Sequence, residues 1–577
     1  MSPVTRRFTA LAVAVLITAC ASHKEDQASA TKGADEAGRT EQPAPRTVAE
    51  RRAAERDDAR LYRGKAVIVS TAPLVDASLP ASIMPEPASP PVYTQPTNTE
   101  RYQHLDDNPV RLAAEQPVST FSIDVDTGSY ANVRRFLNDG ALPPQDAVRI
   151  EELLNYFDYQ YAVPENRSTP FRVSTELAPA PWNSDAWLLR IGIKAYEVPA
   201  HERPPANLVF LIDVSGSMQT PEKLPLLKNA FRLLTDQLTA RDRVSMVVYA
   251  GSSGVVLEPT PGDQKQRIRR AIDKLEAGGS TNGAEGIERA YQLAHQTFIE
   301  GGINRVVLAT DGDFNVGVVN FESLVDMAER QRASGVALTA LGFGTYNLNE
   351  HLLERLADAG NGNYAYVDTL SEARKVLVTE LTSTLFTVAK DVKIQIEFNP
   401  AEVREYRLIG YENRMLARED FNNDKVDAGE IGAGHRVTAL YEIVPMGAKG
   451  KVDPLRYSRN DASEAARSGE IAHVRLRYKM PEGGASKLLE YPVSKSTLVA
   501  AGKASADLRF AASVAAFGQL LRGGKYVGEY TYKDVAALAR GAMDHDPEGY
   551  RREFVSLVQL AGSLSKEEPL RAAQVSE

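Results

Sequence analysis

From residue 208 onward the chain alternates between short apolar runs and longer stretches with helical spacing of apolar positions. The runs predict strands over 208–213, 244–250, 255–257, 305–310, 337–343 and 363–367. The stretches between and after them predict helices over 223–238, 264–275, 283–300, 321–334, 350–359 and 370–385. Such alternation implies a doubly wound, mostly parallel sheet covered by helices on both faces. The first run, 208–212, is apolar throughout, ends in Asp213 and reads as a strand buried on both sides.

The flanks follow other patterns. Ahead of this core, a strand-like run at 119–126 precedes two amphipathic helices, 129–137 and 148–157, separated by Pro143-Pro144. Alternating segments at 171–176 and 186–193 predict an antiparallel pair. An isolated hairpin is marginal, so its partners are expected later in the chain. Runs at 392–398, 436–444, 471–479 and 488–493 are strand-like, and 507–521, 533–542 and 550–564 are helical by period. Residues 21–100 carry Ala, Glu, Ser, Thr and Pro without sustained periodicity and read as a disordered tether. The organisation expected is 1–19 signal peptide, 20–104 tether, 105–202 N-terminal α+β region, 203–385 α/β domain, 386–498 β-rich domain and 499–565 helical region. The β segments on either side of the α/β domain would form one sandwich-like domain with the α/β domain inserted.

A net charge of −9 gives no electrostatic case for nucleic acid as a partner. The single cysteine, Cys20, rules out an intramolecular disulfide and gives the N-terminus a meaning. Arg6 and Arg7 precede an apolar segment, 8–18, that ends in small residues just before Cys20. A charged start, a short apolar core and small residues at the cut make a secretory signal too short to span a bilayer. The sequence around Cys20 resembles the bacterial lipobox, which implies a lipidated Cys20 as the mature N-terminus and a membrane anchor. Ala21 at the next position favours, by the same resemblance, the outer membrane facing the periplasm.

Candidate chemistry lies in three loops, each above a predicted strand end. They are Asp213-x-Ser215-x-Ser217, Gly278-Gly279-Ser280-Thr281, and Thr310-Asp311-Gly312-Asp313. Carboxylates and hydroxyls gathered there suit a hard divalent cation, and glycines let the loops approach closely. No Gly-x-Ser-x-Gly elbow, phosphate-binding Gly-x-x-x-x-Gly-Lys-Ser/Thr loop or His-Glu-x-x-His motif occurs, so neither an enzyme nor a nucleotide site is expected.

These loops resemble the metal-ion-dependent adhesion site (MIDAS) of von Willebrand factor type A (vWA) domains in identity, order and spacing. The resemblance implies that Ser215, Ser217 and Thr281 contact a Mg²⁺ ion (Mn²⁺ or Ca²⁺ being alternatives). It implies that Asp213 and Asp311 bind the ion directly or through water. An Asp or Glu of a partner protein would complete the coordination. Phe121-Ser-Ile-Asp-Val-Asp-Thr-Gly-Ser-Tyr130 and Asp424-Lys-Val-Asp-Ala-Gly-Glu-Ile431 resemble bacterial vWA lipoproteins, some labelled calcium-activated chloride-channel homologues. No segment after the signal peptide suits a transmembrane helix, so a channel is not expected.

Two acidic stretches have competing readings. Asp124 and Asp126 read as a strand end with a turn, with metal ligation as the alternative. Asp420, Asn422, Asp424 and Asp427 alternate as calcium loops do, but Lys425 stands where an EF-hand carries glycine and Ile431 where it carries glutamate. A polar turn is one reading of this loop and a second cation site the other. For the whole chain, the alternative to a metal-dependent binding module is a structural envelope lipoprotein whose metal only stabilises the fold.

Overall fold

The computed structural model describes residues 98–574 apart from 124–125, 251–253, 280–282, 313–320, 427 and 454–468. All of these fall in one compact unit. Cys20 and the segment assigned to the signal and tether up to residue 97 lie outside the described residues.

A six-stranded sheet runs in the order Tyr364–Val367, Ala337–Phe343, Ile303–Thr310, Ala206–Asp213, Arg243–Tyr249, Gly254–Pro261. The first five strands are parallel and the last pairs antiparallel at the edge. All eight residues of Ala206–Asp213 are buried, as expected of a central strand covered on both faces. Leu208, Phe210 and Ile212 pack toward Leu227, Phe231 and Leu234 of the helix Leu224–Gln237. Val209 and Leu211 join a second core with Ile287, Leu324, Leu353 and Leu356 on the opposite face. The next strand in sequence pairs on one side of Ala206–Asp213, and Ile303–Thr310 pairs on the other. Strand order therefore reverses at the central strand, and it is beyond the carboxyl ends at such a reversal that open α/β sheets form their crevice.

The expected antiparallel pair is present and longer than its sequence signal, as Phe171–Ala180 with Asn183–Ala195. Its outer partner is indeed late in the chain: Arg436–Pro445 pairs with Asn183–Ala195. One antiparallel sheet thus runs Arg111–Leu112, Val403–Ile409, Arg436–Pro445, Asn183–Ala195, Phe171–Ala180. A second contains Ile431–Gly432, Thr387–Phe398, Glu470–Lys479 and Lys487–Ser494, with Val118–Ser122 also pairing to Thr387–Phe398. Leu189, Ile191, Ile394, Ile396, Tyr441 and Val474 share the core of this β region.

The helices near both termini make a third layer. Tyr130, Phe157, Phe510, Phe517 and Phe554 share one core, with edge-on ring contacts between Phe157, Phe510 and Phe554. The region read as 105–202 is thus divided between the β sheets and this helical layer, because its strands and helices bury different faces. Thr531 and Asp534 form a capping box at the helix Tyr532–Arg540. Thr531→Ala is expected to cost about 1 kcal/mol, measurable as a lower Tm.

Three local expectations change. The helix expected over 370–385 is interrupted: Leu370–Arg374 leads into a π-helical turn, Lys375–Thr379, before Leu381–Leu385. The Glu380 N–H reaches the Lys375 carbonyl, and the two side chains also pair at 2.7 Å. The strand Val403–Ile409 was not expected, because Glu405 and Arg407 break its apolar run. Residues 98–104, read as the end of the tether, carry backbone order instead. The Thr99 and Arg101 N–H groups donate to the carbonyls of Tyr346 and Leu348 at 2.7 and 3.0 Å.

Candidate functional site

The central strand delivers Asp213 to the crevice with no solvent exposure. Its Oδ1 accepts the Ser215 backbone N–H at 2.9 Å, and its Oδ2 accepts the hydroxyls of Thr310 and Tyr249 at 2.9 and 3.2 Å. Three adjacent strands therefore fix one carboxylate. Burial pushes the Asp213 carboxyl above its ordinary range, against the Ser215 amide, while neighbouring Asp311 adds to the rise. Immediately beyond, a 3-10 turn, Gly216–Gln219, presents Ser217, and the Ser215 and Ser217 hydroxyl oxygens lie 2.9 Å apart.

Asp311 follows the neighbouring strand and is equally buried. Burial raises its pKa, but the Lys223 ammonium and hydrogen bonds from Asn347, Ser217 and Lys223 outweigh it, leaving the carboxyl below its ordinary range. Lys223 Nζ lies 2.9 Å from Asp311 Oδ2 and 3.0 Å from Asn347 Oδ1. Gly312 takes φ +88°, and a Cβ there would stand 2.4 Å from the Asn349 nitrogen, so only glycine fits this turn.

The glycine-rich loop reaches the same place. The Gly278 N–H donates to the Val214 carbonyl at 2.7 Å, and the Gly216 N–H to the Gly279 carbonyl at 3.4 Å. Thr281 lies outside the described residues, between this contact and the helix Gly283–Gln296. The structure thus brings Asp213, Ser215, Ser217 and Asp311 together and seats the loop that carries Thr281 beside them.

Lys223, Tyr249 and Asn347 were not singled out from the sequence. Lys223 offered the one signal available, a cation six residues beyond Ser217 at the start of a predicted helix. Nothing local marked Tyr249 or Asn347, which arrive from other strands and loops.

The donor set fits a hard cation: two buried carboxylates and two hydroxyls, the one of Ser215 buried and the one of Ser217 exposed, all oxygen. Among the described residues no cluster of three or more His, Cys, Asp or Glu side chains is placed to hold a metal. A cation here would therefore depend on the serine hydroxyls as well as on Asp213 and Asp311.

The loop beside this crevice is held from outside. Tyr346 is half-exposed at 52% and takes φ +73°, a conformation rare for a bulky residue. Its carbonyl accepts from Thr99, and its N–H donates to Glu100 Oε1 at 2.9 Å. Glu100 is anchored in turn by Arg135 at 3.0 Å.

The other acidic stretches meet cations of the chain itself. Asp126 Oδ1 accepts the Tyr364 N–H at 2.8 Å, and its Oδ2 lies 3.4 Å from Arg414, while Asp124 is outside the described residues. The Asp420 and Asn423 carbonyls accept from Lys393 at 3.0 and 2.6 Å. Asp424 Oδ1 accepts from Arg477 at 2.9 Å and from the Ser486 hydroxyl at 2.6 Å. These bonds tie the loop to Lys393, Arg477 and Ser486; Asn422 is exposed, and Asp427 lies outside the described residues.

Sheet order, crevice and loops define a vWA domain, and residues 207–380 match the family described as von Willebrand factor type A domain. Residues 96–190 match a family described as von Willebrand factor, and 383–564 one described as Uncharacterized protein YfbK, C-terminal. The chain is 50% identical over 474 residues to Uncharacterized protein YfbK of Escherichia coli (strain K12), covering 81% of this chain and 82% of that protein. It belongs to the YfbK family of vWA domain proteins. Inter-alpha-trypsin inhibitor heavy chain H3 of Homo sapiens is 25% identical over 261 residues, covering 41% of this chain and 28% of that protein. Among solved structures, von Willebrand factor type A from Catenulispora acidiphila aligns at 15% identity and a TM-score of 0.38, covering 67% of this chain and 88% of that one.

Proposed function

We propose that this chain is a binding module for a protein partner, dependent on a divalent cation, with Mg²⁺ held by Asp213, Ser215, Ser217, Thr281 and Asp311. A partner Asp or Glu would supply the remaining ligand. The observation that carries this reading is the convergence of two buried carboxylates and two serine hydroxyls at the reversal of strand order, where α/β sheets bind ligands. Membership of the vWA class supports it, since such domains commonly mediate protein–protein contact. The proposed role is therefore one of binding.

The proposal includes anchoring through a lipidated Cys20 at the outer membrane, facing the periplasm. Among the described residues no helix is long and apolar enough to cross a membrane.

The test is calorimetric titration of Mg²⁺ into wild type and Asp213→Ala, joined to crosslinking capture from intact cells with and without EDTA. Wild type is expected to bind Mg²⁺ and to capture a specific protein that EDTA and Asp213→Ala both release. Capture unchanged by either would end the metal-dependent reading. A large rise in Tm with Mg²⁺, with no metal-dependent partner, would favour the purely structural role.

A further inference from the structure

A lysine is an unexpected neighbour for a cation site. Lys223 is 6% exposed and stands just ahead of the helix Leu224–Gln237. Its ammonium bridges Asp311 and Asn347 at 2.9 and 3.0 Å. Its stem is equally confined. Gly344 takes φ +77°, and a Cβ there would fall 2.2, 2.4 and 2.7 Å from Lys223 Cε, Cγ and Cδ. The backbone at 344 is cleared for this side chain, so Lys223 is built into the site and does not swing in from the surface.

We propose that Lys223 is a resident counter-ion that leaves the site one positive charge in excess once a divalent cation enters, so that cation and partner carboxylate bind cooperatively. The inference rests on the metal-binding reading above. Among the described residues of the site, two carboxylates and one ammonium sum to a single negative charge, and a divalent ion turns that into a single positive one. Without Lys223 the loaded site would be neutral. With it, the ion alone is held weakly, and an incoming carboxylate both fills the open position and cancels the excess. Asn347 and Gly344 fix the ammonium on Asp311, placing it as a neighbour of the ion and leaving the serine hydroxyls to coordinate.

The experiment uses the full chain, with Mn²⁺ as the metal probe and acetate as the carboxylate probe. Free Mn²⁺ is counted by electron paramagnetic resonance. Even at bulk-water screening, a unit charge about 5 Å from a divalent ion shifts its binding by about tenfold or more. Lys223→Met is therefore expected to bind Mn²⁺ about tenfold tighter than wild type in acetate-free buffer. Acetate is expected to tighten Mn²⁺ binding in wild type and to lose that effect in the variant. Lys223→Arg, which keeps the charge, should stay near wild type. Lys223→Gln provides a second neutral variant should Lys223→Met not fold, as judged by melting and circular dichroism. Mn²⁺ affinity equal to or below wild type in a folded neutral variant overturns the inference and leaves the metal reading standing. Failure of wild type and every variant to bind Mn²⁺ overturns both.

Discussion

Arg149→Ala is expected to destabilise the folded chain by about 3–5 kcal/mol, the cost of leaving buried charges without their partner. Arg149 is 1% exposed and faces three buried glutamates: Glu354 at 3.1 Å, Glu152 at 3.5 Å and Glu350 at 4.0 Å. Glu350, Glu354 and Asp358 recur every four residues along the vWA helix Glu350–Ala359, so they share one face. Arg149 reaches that face from the start of the helix Ile150–Asn155. Arg414, following the strand Val403–Ile409, reaches it from the β region and pairs with Glu354 and Asp358 at 3.2 and 2.6 Å. The three layers of the molecule therefore meet on a single acidic stripe. Urea denaturation measures the loss, and a change below about 1 kcal/mol would mean that water or rearrangement compensates the glutamates.

The second large effect is a dependence on pH. Burial pushes the Glu350 carboxyl up to about 8; Arg149 opposes the rise and Glu354 and Glu100 add to it. Burial also holds Glu152 well above its ordinary range, with Arg149 again opposing. Neither Glu350 oxygen has a hydrogen-bond partner among the described residues, which leaves burial dominant. Between the ordinary value of 4.5 and about 8, the folded chain keeps a proton on Glu350 that the unfolded chain has released. Stability is then fully present below the lower value and is lost as pH rises through the upper one. With EDTA present to remove metal effects, the Tm at about pH 8.5 should lie below that at about pH 5.5. Glu350→Gln, which cannot ionise, should remove much of the difference. A flat profile in wild type would show that Glu350 is charged when folded.

What could be read from the sequence follows from where each interaction is made. The central strand and its Asp-x-Ser-x-Ser stretch were legible because apolar run, acid and hydroxyls are contiguous. The glycines at 279 and 312 were legible because these tight loops take positive φ there, +89° and +88°. Val403–Ile409 was hidden because its charges are satisfied far away in sequence. Glu405 accepts from the Lys451 and Val452 N–H groups, both at 2.9 Å, and Arg407 pairs with Glu442 at 3.0 Å and Gln519 at 2.7 Å. A local pattern counts such residues as surface. The same limit concealed Lys223, which looks like any helix-start lysine until Gly344 and Asp311 close around it. The interruption of the helix expected over 370–385 is a π-helical turn, Lys375–Thr379, closed by backbone and side-chain bonds between Lys375 and Glu380, which helical period does not register.

The pairing of Thr99 and Arg101 with Tyr346 and Leu348 fixes where tension would enter the molecule. A pull on the chain ahead of Asn98 would load two backbone hydrogen bonds on the loop whose next side chain, Asn347, grips Lys223. The attachment point and the crevice are one residue apart along that loop. A tag, fluorophore or solid support joined just before Asn98 would thus sit close enough to report on the crevice, or to disturb it. A fusion at the opposite terminus would leave that loop unloaded.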